Sequence, residues 1–281
     1  MLCFVDMTSS EPSVTHIIPK GSSVGGVTSL GDDVFVVRRS SQQIEVYDAV
    51  TFTLQRCLAV PQLGALSYGL AVCPRNRCLY ASDYNNDNVH RVELTGSNAV
   101  TKWSVARQPA GLTVNRARNL LVVSHAERKL QEFNTRGTLL QNIELQLRKE
   151  NPWQAIDLPS GQFVVSCSTK LHSVISVYVN ETTVQKYSRI KGCQLMRMNP
   201  AGLAVDKHGN ILVADMSNHR LLVIDRSLTN AHGMAVSVDG GLNEPYRLWY
   251  DESRDRLYIG EWRGGRVIVI DQLKNFYMSE V

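Results

Sequence analysis

One short phrase recurs along the chain at intervals of about 45 residues, and this repetition limits the folds that the chain can adopt. The clearest copies are PAGLTV from Pro109 and PAGLAV from Pro200. The aligned positions of the six copies are Gly26, Gly69, Gly111, Ala155, Gly202 and Arg247. Since nothing between the copies resembles a linker, the repetition predicts a single domain rather than two unrelated ones.

Each repeat contains short strand-like segments that turn residues separate. A second strand follows the phrase, as in NILVADM from Asn210, and a third strand alternates in character, as in RVIVID from Arg266. A weaker fourth strand closes most repeats. Four strands in about 45 residues is the pattern of a propeller blade. The sequence therefore predicts an all-β fold, a six-bladed β-propeller of four-stranded antiparallel blades.

The repeats also predict the boundaries within this single domain, residues 1–281. Blades are expected to start near residues 24, 67, 109, 153, 200 and 245, after an N-terminal extension over residues 1–13. Residues 14–23 are expected to form a ring-closing strand and loop, in which VTHIIP completes the last blade by main-chain pairing. The tail Phe276–Val281 is the alternative for that role.

The fifth repeat resembles the NHL repeat, whose family forms six-bladed propellers. Its segment from Asn199 to Asp225 has a Pro-x-Gly start, an Asp-x-x-Gly-Asn turn, Asp215 at a strand end and then Asn218-His219-Arg220. The second repeat carries much of this pattern, including Asp83. We expect the shared acidic and asparagine residues to be structural, because they recur where each blade must turn.

The resemblance implies a propeller that binds a protein partner, as at the end of tripartite-motif proteins. It also implies single-stranded RNA binding as an alternative. The RING, B-box and coiled-coil patterns of those proteins do not occur in this sequence, so no ubiquitin-ligase activity is implied. We expect a stand-alone propeller or a fragment of a longer protein.

The sequence carries none of the common local signatures of catalysis. The six cysteines form no Cys-x-x-Cys pair. We therefore expect no enzyme activity, no cofactor, no metal and no catalytic residue. The N-terminus does not look like a leader sequence, and no apolar run could span a membrane, so the expected location is cytoplasmic.

A pore-centred, metal-dependent hydrolase or lyase is the second alternative. His125, His172 and His219 are evenly spaced, but His125 aligns with Cys167 and Met216 in the repeat, so the three side chains should point differently. The resemblance to propeller lyases and lactonases draws attention to pore-lining polar residues. The candidates are Asp157, Asp206 and Asn115, which inner-strand ends and turns explain better.

Charges and aromatic residues should be unequally distributed between the two faces of the propeller. The face with the loops that enter each blade, and the loops between second and third strands, carries an excess of basic residues and several aromatic rings. Such rings beside arginine form hot spots in protein interfaces and stack on single-stranded RNA. We expect a protein partner or RNA there, and neither DNA nor a membrane. The predicted binding residues are Arg38, Arg39, Tyr68, Tyr84, Arg107, Lys129, Trp153, Lys170, Arg197, Tyr246, Trp262 and Arg263. The alternative is that some rings plug the central channel and the charges are simply solvated.

Overall fold

The computed structural model describes residues 14–19, 21–147, 150–168, 173–179, 182–187, 198–227 and 229–273. Within these ranges the chain forms 24 strands and a single short 3-10 turn at Met216–Asn218. None of the helical segments found there has the length and apolar character required to cross a bilayer.

In the described part of the chain, the strands form six antiparallel sheets of four strands each. The first three are β2 (Val24–Leu30), β3 (Asp33–Arg38), β4 (Gln43–Asp48) and β5 (Leu54–Ala59); β6 (Leu70–Cys73), β7 (Cys78–Asp83), β8 (Asn88–Glu93) and β9 (Val100–Ser104); and β10 (Pro109–Val114), β11 (Leu120–Ser124), β12 (Lys129–Phe133) and β13 (Leu139–Glu144). The other three are β14 (Asn151–Asp157), β15 (Phe163–Ser168), β16 (Ser173–Val179) and β17 (Thr182–Tyr187); β18 (Pro200–Val205), β19 (Ile211–Asp215), β20 (Arg220–Ile224) and β21 (Ala231–Met234); and β22 (Pro245–Asp251), β23 (Arg256–Glu261), β24 (Val267–Asp271) and β1 (Val14–Ile18).

The first strands of the sheets form a closed ring. In the order β2, β6, β10, β14, β18 and β22, each of these inner strands contacts the next, and β22 contacts β2. Such radial stacking of four-stranded antiparallel sheets is the architecture of a β-propeller. The predicted fold class is confirmed, and a cavity of about 230 Å³ lies at the centre of the ring.

Glycine at the recurring phrase allows neighbouring inner strands to touch. A Cβ atom added at Gly69 would lie 2.5 Å from the carbonyl oxygen of Ala110, and one at Gly202 would lie 2.5 Å from that of Tyr246. These distances are too short for any side chain, so glycine is needed for the close backbone approach.

The structure corrects the alignment of the fourth repeat by one residue. Gln154 pairs with Ser166 after a bulge at Pro152, just as Arg247 pairs with Gly260 after a bulge at Pro245. Gln154, and not Ala155, therefore occupies the glycine position. The two positions of the ring without glycine are thus filled by glutamine and arginine.

Apolar side chains fill the spaces between adjacent sheets. Phe35 and Val46 of the first sheet, for example, share one buried cluster with Leu70 and Leu79 of the second. Burying a side chain of this size contributes about 1.5–3 kcal/mol. Every residue of β11 is buried, whereas most residues of the outer strand β13 are exposed, which explains why the fourth strand of this repeat has a weak apolar pattern in the sequence.

Both ends of the repeat array contribute to the last sheet. The N-terminal strand β1 pairs antiparallel with β24, and Ile18 lies opposite Val267. Ile18 is completely buried. Residues 14–18 thus supply the outer strand of the last sheet, while the alternative segment Phe276–Val281 lies outside the described residues.

Replacing Gly202 with alanine should lower the free energy of unfolding by about 1–3 kcal/mol, because the added methyl group overpacks a rigid backbone contact. Gly233→Ala is the matched control. Gly233 lies in the outer strand β21, where an added Cβ meets no atom within 4 Å, so its effect should stay within about 0.5 kcal/mol. Urea denaturation measures both values, and equal losses would contradict the proposed role of the inner-strand glycine.

Candidate functional site

The aromatic residues predicted for one face lie together in the structure. The ring of Tyr68 is central: its centroid lies 4.9 Å from that of Tyr84, 5.9 Å from Trp153, 6.1 Å from Tyr246 and 5.7 Å from Trp262. Tyr68 lies just before β6, and Trp153 and Tyr246 lie near the starts of β14 and β22. The repeat therefore delivers rings from separate sheets to one place, which we call the aromatic cluster.

The cluster has a sixth member, His125, that the sequence analysis did not assign to it. Its ring centroid lies 4.4 Å from that of Trp153 and 5.9 Å from that of Tyr84. Burial lowers the pKa of His125, which favours the neutral imidazole. The position of His125 in its repeat indicates that it belongs to the cluster: His125 directly follows β11, as Tyr84 follows β7 and Trp262 follows β23.

Three rings of the cluster close one end of the central channel. Tyr68, Trp153 and Tyr246 come from every second inner strand of the ring, and their centroids are 5.9, 6.1 and 6.3 Å apart. A triangle of rings from alternating strands lies across the axis. Tyr246 is only 4% exposed, whereas Tyr68 and Trp153 remain partly exposed. These rings therefore both plug the channel and contribute to its outer surface.

Two predicted cations of this face have no ion pair among the described residues, Arg39 and Arg107. Both are exposed, and the guanidinium carbon of Arg39 lies 5.5 Å from the centroid of the Trp262 ring. A cation over an indole face is attracted by the ring quadrupole. This arrangement leaves both arginine head groups available to an incoming ligand.

Other predicted cations are already neutralised. The Nζ atom of Lys129 lies 2.7 Å from Glu127, and the Nε atom of Arg263 lies 3.0 Å from Glu244. The predicted residues Lys170 and Arg197 lie outside the described residues. The free positive charge among the described residues of this face is therefore smaller than the sequence suggested.

Arg38 does not belong to the surface of this face. It is 6% exposed, its Nε atom lies 2.7 Å from Glu45, and its guanidinium donates to the carbonyl oxygen of Gly265 at 2.7 Å. The last contact joins the first sheet to the last one. Strand β3 continues through Arg38, so this side chain alternates inward while that of Arg39 points to solvent.

Buried carboxylates hold the loops beneath the cluster. Asp215 accepts hydrogen bonds from the backbone amide of Asn199 at 2.7 Å and from the Asn218 side chain at 2.9 Å. For Asp83, burial raises the pKa, but hydrogen bonds from His90 and Asn86 outweigh that effect and lower it overall. The residues that resemble the NHL signature are thus engaged in holding backbone and side chains in place.

The candidate polar residues of a pore-centred enzyme lie in turns or in separate contacts. Asp206 accepts from the backbone amides of His208 and Asn210, both at 2.8 Å, and Asp157 accepts from that of Arg116 at 2.9 Å. Among the residues that the structure describes, no three His, Cys, Asp or Glu side chains form a group that could hold a metal. His172 lies outside them.

Comparisons with known proteins agree with the propeller class. Residues 198–224 match the model of the NHL repeat, so the comparison identifies one NHL repeat in this segment. No curated protein matches the chain.

Solved structures share the fold at low sequence identity. A hydrazine synthase chain from Kuenenia stuttgartiensis aligns with a TM-score of 0.63 and 13% identity, covering 97% of this chain and 99% of that one. Virginiamycin B lyase from Staphylococcus aureus gives 0.65 and 8%, covering 92% and 98%. A protein of unknown function from Bacteroides thetaiotaomicron gives 0.68 and 15%, covering 90% and 70%. At these identities the likeness concerns the fold alone.

Changing Arg38 should affect stability. Arg38→Ala is expected to lower the free energy of unfolding by about 1–3 kcal/mol, because it removes the charged partner of Glu45 and the buried hydrogen bond to the Gly265 carbonyl oxygen. Arg39→Ala is the matched control. The side chain of Arg39 is exposed, so its removal should change the free energy of unfolding by less than about 0.5 kcal/mol. Urea denaturation of both variants is the measurement. An equally stable Arg38→Ala variant would contradict the structural role.

Proposed function

We propose that this chain is a non-enzymatic interaction propeller that binds a protein partner through the aromatic cluster and the arginines beside it. The observation that carries the proposal is the convergence of rings from separate sheets, with Arg39 lying over Trp262 at its edge. Clustered aromatic residues and arginine supply most of the binding energy in protein interfaces. The rigid ring of inner strands holds them in place before a partner arrives, which lowers the entropic cost of binding.

The arrangement of the rings favours a protein over single-stranded RNA. Tyr68 meets Tyr84 and Trp153 edge to face, with interplanar angles of 85° and 86°. RNA binding by stacking needs a series of free ring faces along a charged track. Here the rings pack on one another in one compact group, and Lys129 and Arg263 are already paired to carboxylates. The surface therefore offers a single anchoring patch and not a charged track.

The similar solved structures include enzymes, but their identities of 8% and 13% carry no activity to this chain. The non-enzymatic reading is supported by the residues themselves. Asp157 and Asp206 each accept hydrogen bonds from backbone amides of turns, and the Nδ1 atom of His219 accepts from the backbone of Glu244 at 3.1 Å.

A paired charge reversal tests the proposal. Purified wild-type chain and the variant Arg39→Glu/Arg107→Glu are used as baits in a soluble extract, and retained proteins are measured by quantitative mass spectrometry. Partners of the wild type should be retained about tenfold less by the variant, because it loses the cation over Trp262 and reverses the local charge. Trp262→Ala should lose the same proteins.

The matched control is Arg116→Glu/Arg118→Glu, which changes two exposed arginines in the turn between β10 and β11 at the opposite end of the strands. It should retain the same partners as the wild type. Retention unchanged in all variants, or lost equally in the control, would refute binding at the aromatic cluster.

The purified wild-type chain and its variants are also mixed with a random single-stranded RNA pool at two salt concentrations. Steeply salt-dependent RNA binding that only the Arg39/Arg107 variant loses would replace the protein partner with RNA.

A further inference from the structure

The central cavity contains an unusual charged residue. Most of the inner-strand residues that line it are apolar, among them Leu70, Leu112 and Leu203, and its volume is about 230 Å³. Arg247 also lines it, at a ring position where four other inner strands have glycine. The aromatic triangle of Tyr68, Trp153 and Tyr246 closes the end of the channel nearest to Arg247.

Gln154, the other non-glycine residue at these ring positions, has a hydrogen-bond partner for each of its side-chain polar atoms. The side-chain oxygen of Gln154 accepts from the backbone amide of Leu203 at 3.1 Å, and its nitrogen donates to the Leu203 carbonyl oxygen at 3.2 Å. Gln154 thus links two inner strands and leaves neither of its polar atoms unpaired.

Arg247 makes the equivalent link but retains an unused donor. Its Nε atom donates to the carbonyl oxygen of Gly25 at 3.2 Å, and its Nη2 atom donates to the hydroxyl group of Tyr246 at 3.2 Å. The Nη1 atom is buried and has no hydrogen-bond acceptor among the described residues. The whole residue is only 4% exposed, so an unpaired donor lies buried in the wall of the cavity.

The charge of Arg247 is also uncompensated. Among the described residues no carboxylate lies within ion-pair distance of it, and both of its acceptors are neutral groups. Asp157 lines the same cavity, but its position lies three residues further along its strand than Gln154, about 10 Å along the axis, and it accepts from Arg116. Burial lowers the pKa of Arg247, yet an arginine side chain stays protonated in proteins. The ring of Tyr246, 4.2 Å from the guanidinium carbon, supplies a partial counter-charge only.

We propose that the central cavity binds a small organic carboxylate, whose negative group pairs with Nη1 of Arg247 and whose apolar body lies along the inner strands that line the cavity. A buried cation without a partner is unfavourable, and a bound anion removes that penalty. The apolar wall favours an organic anion with a short hydrocarbon part over a fully hydrated inorganic one. The site lies on the channel side of Tyr246, and the inference does not depend on the proposed function.

Calorimetric titration of the whole chain with hexanoate tests the site. The neutral hexanamide has the same hydrocarbon part and serves as the ligand control. Hexanoate should bind at least about tenfold more tightly than hexanamide, because only the acid pairs with the buried charge. Equal affinity of the two, or no binding of hexanoate at millimolar concentration, would overturn the proposal with the wild-type chain alone.

The variant Arg247→Gln identifies the residue. Glutamine is the residue that the chain itself uses at the equivalent position, Gln154, so the ring should still close. Hexanoate affinity should fall about 10- to 100-fold in this variant, as expected for the loss of a charged hydrogen bond. Arg118→Gln removes an exposed arginine outside the cavity lining, keeps the buried charge and should retain binding. Unchanged hexanoate affinity in Arg247→Gln would place the ligand elsewhere and refute the site.

Discussion

The contact on which the whole structure depends is the backbone-to-backbone approach of neighbouring inner strands. At Gly69, Gly111 and Gly202 the adjacent strand leaves no room for even one carbon atom. This contact fixes the radius of the ring, and the radius decides how much space remains at the axis. Where the sequence departs from glycine, the side chain must cross toward the next strand or enter the channel. Gln154 and Arg247 therefore determine the chemistry of the cavity.

The outer surface and the cavity share one residue, Tyr246. Its ring belongs to the aromatic triangle, and its hydroxyl group and ring face both contact Arg247. Removing a hydroxyl group this deeply from water raises its pKa, so Tyr246 stays neutral and accepts a hydrogen bond from the guanidinium. The rings that a partner would meet are thus supported from below by the charged residue of the channel. Rigid support of this kind keeps a binding surface in one geometry.

The fold could be predicted from the sequence, because each strand and each aligned position of the inner strands recurs at a regular spacing. The grouping of Tyr68, Trp153 and Tyr246 on one face followed from that spacing alone. Side-chain details did not follow, since they depend on single residues: one step of strand alternation buries Arg38. The ring position of the fourth repeat could have been predicted, because Gln154 lies two residues after Pro152, as Gly202 lies two residues after Pro200. The ion pairs that neutralise Lys129 and Arg263 form between loops, and no local pattern announces them.

The pairing of β1 with β24 has a consequence for how the chain is made. Residues 14–18 leave the ribosome before the repeats do, but their partner Val267–Asp271 is synthesised some 250 residues later, at the far end of the repeat array. Until then, the first strand has no neighbour and the ring of inner strands cannot close. Contacts so distant in sequence carry a large loop-closure cost and form late. The earlier sheets can assemble one by one during translation, while the final sheet acts as a latch that closes only when synthesis of the repeats is complete.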